Sequence, residues 1–191
     1  MSGRAPLEKG RLYLVGLDER MMIIILNGPL GIGKSTLAEA LAESIDQCVM
    51  LDGDHLVAAN PPPADELEYL HSTIALLVAH HRSYGYRHFV IDHIWRTSTE
   101  LADLHRRLRD IDSGADIRSI LLTLPLDENL RRIQRRQRAR ALDEQEFELR
   151  TVVEEREVLY QAAGGDRGEP LDISAPPDEL VATLLRRLGL R

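Results

Sequence analysis

Short unbroken apolar runs alternate along this chain with longer stretches in which apolar residues recur every three or four positions. The first kind marks strands buried on both faces, and the second marks amphipathic helices. Residues 22–27 form the first predicted strand. A helix follows after Lys34 and runs to about residue 45, with Leu37, Leu41 and Ile45 on one face. Residues 48–51 form a second strand. After Pro61-Pro62-Pro63 a long helix is predicted over 64–84, with Leu67, Leu70, Ile74, Leu77 and Val78 as its apolar positions and Gly85 as its C-terminal cap. Residues 88–92 read as strand three. Thr97-Ser98-Thr99-Glu100 is a capping box that opens a helix with Leu101, Leu104, His105 and Leu108 facing inward. Strand four is predicted over 117–124 and stops at Pro125. Asp127 and Glu128 then begin an arginine-rich helix, where their charge suits the helix dipole. Another helix starts near Asp143, carries Phe147, Val152, Val153, Leu159 and Tyr160, and stops at Gly164-Gly165. Residues 171–174 form a fifth strand and 178–188 the closing helix. Strands alternating with helices imply an α/β fold, a parallel sheet with helices on both faces.

Composition adds limits. The chain has 191 residues, 43% of them hydrophobic and only 4% aromatic, so one domain with an aliphatic core is expected over residues 21–191. Residues 1–20 hold Gly3, Pro6, Gly10 and Gly16 around a short apolar patch, Leu12-Tyr13-Leu14-Val15, and are expected to form a poorly ordered arm. No apolar run approaches the ~20 residues of a membrane span. The N-terminus lacks the ~7–15-residue apolar block of a secretory signal. The single cysteine, Cys48, precludes an internal disulfide and reads as a small core residue; a reducing cytoplasm is the expected setting. The formal net charge of −7 argues against a nucleic-acid partner, which needs a basic surface.

The most informative stretch is Gly28-Pro29-Leu30-Gly31-Ile32-Gly33-Lys34-Ser35, which lies between the first strand and the first helix. Its G-x-x-x-x-G-K-S spacing in that context marks a phosphate-binding P-loop. Glycines let successive backbone N–H groups turn inward, and the helix N-terminus adds its dipole, so loop and helix together cradle an anion. Lys34 supplies a point charge for the β- and γ-phosphates of a nucleotide, and the Ser35 hydroxyl is placed to coordinate Mg²⁺. Thr36 closes the binding segment.

Three further groups bear on what happens to the phosphate. Asp52 and Asp54 flank Gly53 at the end of the second strand, where ligands of open α/β sheets bind. A carboxylate there can accept a proton from an attacking hydroxyl or hold Mg²⁺; the same residues also suit an ordinary Asp-Gly turn. Asp92 ends an apolar strand, the arrangement that holds Mg²⁺ in P-loop proteins. His93, Trp95 and Arg96 follow it. Arg96 reads equally as an anion binder or a solvated residue, and Trp95 as packing. Finally, residues 131–140 contain six arginines, among them Arg132 and Arg136 on one helical face. Asp127 and Glu128 can pair with Arg131 and Arg132, which leaves charge for a lid over phosphates. The other histidines show no metal-ligand spacing.

Taken together, residues 25–36, Leu51-Asp52-Gly53-Asp54, Val90-Ile91-Asp92 and Leu124-Pro125-Leu126 with the arginine helix resemble the small P-loop kinases of the nucleoside- and nucleotide-kinase-like group. That group includes shikimate kinase, gluconate kinase, adenylylsulfate kinase and chloramphenicol phosphotransferase. The resemblance implies a three-layer P-loop NTPase fold with five parallel strands in the order 2-3-1-4-5 and an arginine-rich lid at about 127–145. It implies an ATP- and Mg²⁺-dependent transfer of the γ-phosphate to a hydroxyl or phosphate of a small molecule. In that scheme Gly28 to Thr36 bind the nucleotide and Ser35, Asp52 and Asp92 serve the metal. Lys34, Asp54, Arg132 and Arg136 serve catalysis, Asp54 as the substrate-contacting base. Ser174-Ala175-Pro176 falls where adenine is held. Asp92-His93-Ile94 departs from the Asp-Arg-x motif of nucleotide kinases, the arginine-and-glycine pattern of shikimate kinase is missing, and 60–82 matches no named acceptor site. An ATPase or switch acting on a protein partner is the other reading of the P-loop. The sequence leaves open a monomer or a homodimer.

Overall fold

The computed structural model describes residues 20–136, 142–160 and 166–190, with no side chains for Arg136 and 142–145. The expected arm up to residue 19, Arg138, Arg140 and the helix stop at Gly164-Gly165 lie outside the described residues.

Five parallel strands form one sheet: β1 (Met22–Asn27), β2 (Cys48–Asp52), β3 (His88–His93), β4 (Asp116–Thr123) and β5 (Glu169–Asp172). Their order is β2-β3-β1-β4-β5. The helices are α1 (Lys34–Glu43), α2 (Gly53–Leu56), α3 (Glu66–Ser83), α4 (Ser98–Ile111), α5 (Leu126–Arg136), α6 (Leu142–Tyr160) and α7 (Pro177–Leu188).

β1 is central, and Ile23, Ile24, Ile25 and Leu26 are all fully buried. Alternate side chains enter different layers, as the strand period of two requires. Ile24 and Leu26 pack with Leu37, Leu41, Val181 and Leu184 beneath α1 and α7. Ile23 and Ile25 pack with Leu70, Ile74, Leu104 and Trp95 beneath α3 and α4. Each such side chain contributes roughly 1.5–3 kcal/mol of transfer free energy, so the continuous apolar run is the main determinant of this strand.

Several boundaries differ from the sequence reading for local reasons. α1 ends at Glu43, short of residue 45, and the chain turns through Gln47 at φ 54°. Asp52, at the end of β2, caps a short helix rather than a plain turn: its carboxylate accepts from Asp54 N and His55 N. β5 starts at Glu169 and tolerates Pro170 because it is an edge strand, paired only with β4. The capping box at Thr97 and Glu100 forms as expected. On α6, Val152 and Leu159 are buried, whereas Phe147 and Val153 face out. Among the described residues no helix is long and apolar enough to cross a membrane.

Candidate active site

The parallel register brings Asp52 opposite Asp92 and Asn27 opposite His93. The carboxyl ends of β1, β2 and β3 therefore meet at one edge of the sheet, and the loop from Gly28 to Gly33 leaves β1 there. Gly31 has φ +68°, and a Cβ on it would run into Ile133 of α5. Left-handed backbone and lack of space both require glycine at that position. Gly33, at φ 111°, is the N-cap of α1.

Lys34 is buried. Its Nζ donates to Gly28 O at 3.0 Å and Pro29 O at 3.2 Å. Burial lowers its pKa, and the negative charges of Asp54, Glu155, Asp92 and Asp52 oppose that shift.

Ser35 Oγ donates to Asp92 Oδ2 at 2.8 Å. Asp92 is 2% exposed, and its second oxygen, Oδ1, is buried with no partner. Burial pushes the Asp92 carboxyl up to about 6, the Ser35 hydrogen bond acts against that, and the charge of Asp52 adds to it. An orphaned buried oxygen beside a hydroxyl is a donor set suited to a hard cation. Among the described residues no group of three or more His, Cys, Asp or Glu side chains can hold a metal ion by itself. Asp52 contributes charge nearby, but its hydrogen bonds are spent on the start of α2.

Asp54 Oδ1 accepts from His93 Nδ1 at 2.8 Å. This hydrogen bond is the main cause that holds the Asp54 carboxyl below the usual range, with the charges of His93 and Lys34 acting in the same direction. Gly53 permits the contact: a Cβ there would sit 2.7–2.8 Å from His93 Cβ, Cγ and Nδ1. The pairing was not legible at the linear spacing of Asp54 and His93, because it depends on β2 and β3 being neighbours.

The arginine helix packs down at its base. Asn129 and Ile133 of α5 are buried, and Asn129 Nδ2 donates to Leu30 O. Arg132 donates to Ile32 O at 3.1 Å and Ile173 O at 2.9 Å, bridging the P-loop and the segment after β5. Arg131 pairs with Asp127 and Glu128. Arg132, Arg135 and Thr36 line a cavity of about 440 Å³ together with Ser174, Ala175 and Pro176. The side chain of Arg136 lies outside the described part of the structure.

One group was missed by sequence reasoning. Glu155 of α6 is 7% exposed, accepts from Leu30 N at 2.7 Å and pairs with Arg96 Nη2 at 3.3 Å. No short-range pattern announces a carboxylate 125 positions from the loop it touches.

The family model described as "AAA domain" matches residues 23–161. No curated protein matches the sequence at a significant level. Among solved structures, the tunicamycin resistance protein of Deinococcus radiodurans superposes with a TM-score of 0.60 at 18% identity, covering 90% of this chain and 98% of its own. A gluconokinase from Sinorhizobium meliloti 1021 gives 0.60 at 20% identity, over 89% and 97%. Shikimate kinase from Bacteroides thetaiotaomicron gives 0.56 at 17%, over 89% and 99%. At these identities the likeness is one of fold.

Proposed function

This chain belongs to the AAA domain family and has the fold of small P-loop kinases, and from that premise we propose that it is an ATP- and Mg²⁺-dependent phosphotransferase acting on a small molecule. The observation that carries the proposal is the Asp54–His93 pair beside the P-loop lysine. A carboxylate held ionised at the acceptor side has a use in transfer to an acceptor. The neighbours named as a gluconokinase and a shikimate kinase support a small-molecule acceptor.

The residues divide the work. The amides between Gly28 and Thr36 hold the triphosphate, and Lys34 exchanges its loop carbonyls for the β- and γ-phosphate oxygens. Ser35 and Asp92 would hold Mg²⁺, with the charge of Asp52 in support. The bound metal supplies charge neutralisation at the transferring phosphoryl group. The cavity at Ser174-Ala175-Pro176 receives the base, with Thr36 and Arg132 at its edge. Asp54 orients the acceptor and takes its proton as the acceptor oxygen bonds to the γ-phosphorus and the bridging oxygen leaves with ADP. General-base assistance of this kind is worth roughly 10²–10⁴-fold in rate. Arg132, and Arg136 on the same helical face, contribute positive charge to the departing and transferring phosphates. Arg96 serves an anionic part of the acceptor.

The test is ADP release from ATP and Mg²⁺ with acceptor panels: nucleosides, nucleoside monophosphates, sugar acids, shikimate and antibiotic alcohols. Stimulation by one class supports the proposal and names the acceptor. Steady release that no acceptor stimulates favours the ATPase reading and turns the search to protein partners.

A further inference from the structure

The β3–α4 loop carries groups on both sides of Trp95: His93, which holds Asp54, and Arg96, which meets Glu155. What fixes this loop lies behind it. Trp95 is fully buried and its backbone is gripped twice by the side chain of Asn27. Trp95 N donates to Asn27 Oδ1 at 3.0 Å, and Asn27 Nδ2 donates to Trp95 O at 3.0 Å. The indole ring meets the His93 ring edge to face, with centroids 5.5 Å apart.

The indole Nε1–H donates to Nε2 of His71, on α3, at 3.0 Å. Indole nitrogen is a donor only, so His71 Nε2 must be the acceptor. The proton of the neutral ring is therefore on Nδ1, which lies 2.9 Å from Asp103 Oδ2 on α4. His71 is fully buried, and both ring nitrogens are used. Burial lowers its pKa, and Asp103, Arg107 and Glu100 of α4 are the charges that face it. Asp103 is anchored in turn by Arg106 and Arg107, and Arg107 pairs with Glu68 back on α3.

We infer that His71 is a positioning residue: through Trp95 and His93 it sets the orientation of Asp54, coupling the α3–α4 interface to the acceptor side of the site. The chain of contacts is Asp103, His71, Trp95, His93, Asp54, and each step is a direct hydrogen bond or ring contact. The fully buried indole N–H needs an acceptor, and His71 supplies it directly behind His93. In this arrangement a change at the α3–α4 interface is passed to His93 by the indole that packs against it. The inference uses the reading of Asp54 as the acceptor-side base, but its test needs no turnover, so the two can fail separately.

The test reads the His93–Asp54 hydrogen bond at one fixed pH, through the His93 Nδ1 resonance and its solvent exchange in the ¹⁵N-labelled full chain. Asp54→Ala gives the reference shift when the partner of Nδ1 is lost. His71→Leu is expected to move the resonance by at least half of that reference. His71→Gln, whose amide offers an acceptor to Trp95 and a donor to Asp103, is expected to restore the wild-type resonance. A folded His71→Leu protein with an unchanged resonance and only a lower melting temperature overturns the inference. If His71→Leu does not fold, Trp95→Phe is read in the same way, since it keeps a ring against His93 but removes the indole donor. A wild-type resonance there is equally fatal, and a shifted one supports the coupling.

Discussion

Ser35 on α1 and Asp92 on β3 stand 57 positions apart and are joined by a 2.8 Å hydrogen bond from Oγ to Oδ2, while Oδ1 of the same carboxylate has no partner. A buried oxygen left in that state costs stability in the free protein. If Asp92 holds the metal as proposed, function and stability are opposed at this residue, and that opposition can be measured.

Asp92→Asn is expected to stabilise the protein while abolishing Mg²⁺-dependent turnover. The folded Asp92 carboxyl is pushed up to about 6, against about 4 in an unfolded chain. Between these values the folded state binds more protons, so its stability falls as pH rises through the window and the deficit persists above it. The amide removes the deficit and keeps an acceptor for Ser35. Thermal melts without metal should show a gain on the order of 1–3 kcal/mol at pH 8 and little at pH 4. A loss of stability at pH 8 contradicts the account.

Asp54→Asn is expected to reduce phosphoryl transfer by roughly 10²–10⁴-fold with ATP affinity changed by less than about threefold. Titration calorimetry with ATP and Mg²⁺, beside the acceptor-stimulated rate, separates the two effects. Loss of ATP binding in this variant removes Asp54 from the acceptor side.

Gly53→Ala is expected to leave the fold intact but lower activity at least about tenfold. The new Cβ would meet the His93 ring at 2.8 Å or less, a distance that forces one of the two to move. His93 is backed by Trp95 and has little room, so its bond to Asp54 is what gives way. Activity close to wild type would mean that the ring is free to shift.

Glu155→Gln is expected to tighten binding of the triphosphate by roughly three- to tenfold at low salt, because it removes a negative charge from the P-loop and from the neighbourhood of Lys34. The effect should shrink as salt is raised. Comparing ATP and ADP affinities in both proteins checks it; weaker ATP binding would show that the Leu30 tie supports the loop more than the charge opposes phosphate.

Much of this molecule was legible in the amino-acid order because the signals are local. Ile23 to Leu26 form a run that only a buried strand can use, and the Gly and Lys spacing of the P-loop encodes its own backbone shape. Thr97 and Glu100 carry their capping box within four residues. Boundaries moved where a local side-chain contact intervened, as at Asp52, whose carboxylate caps α2 through the amides of Asp54 and His55.

The sequence by itself determined the order of elements, the P-loop and the acids at the ends of β2 and β3, since each follows from hydrophobic periodicity or from backbone freedom at fixed spacing. Only the tertiary structure decided which of those groups meet. The pairing of β2 with β3 brings His93 to Asp54, and the packing of α6 over the P-loop carries Glu155 to Leu30. The contact of α3 with the β3–α4 loop joins His71 to Trp95. These contacts span from 24 to 125 positions, and their partners are chosen by which apolar faces are buried against one another, a choice made by the whole core rather than by any stretch of chain.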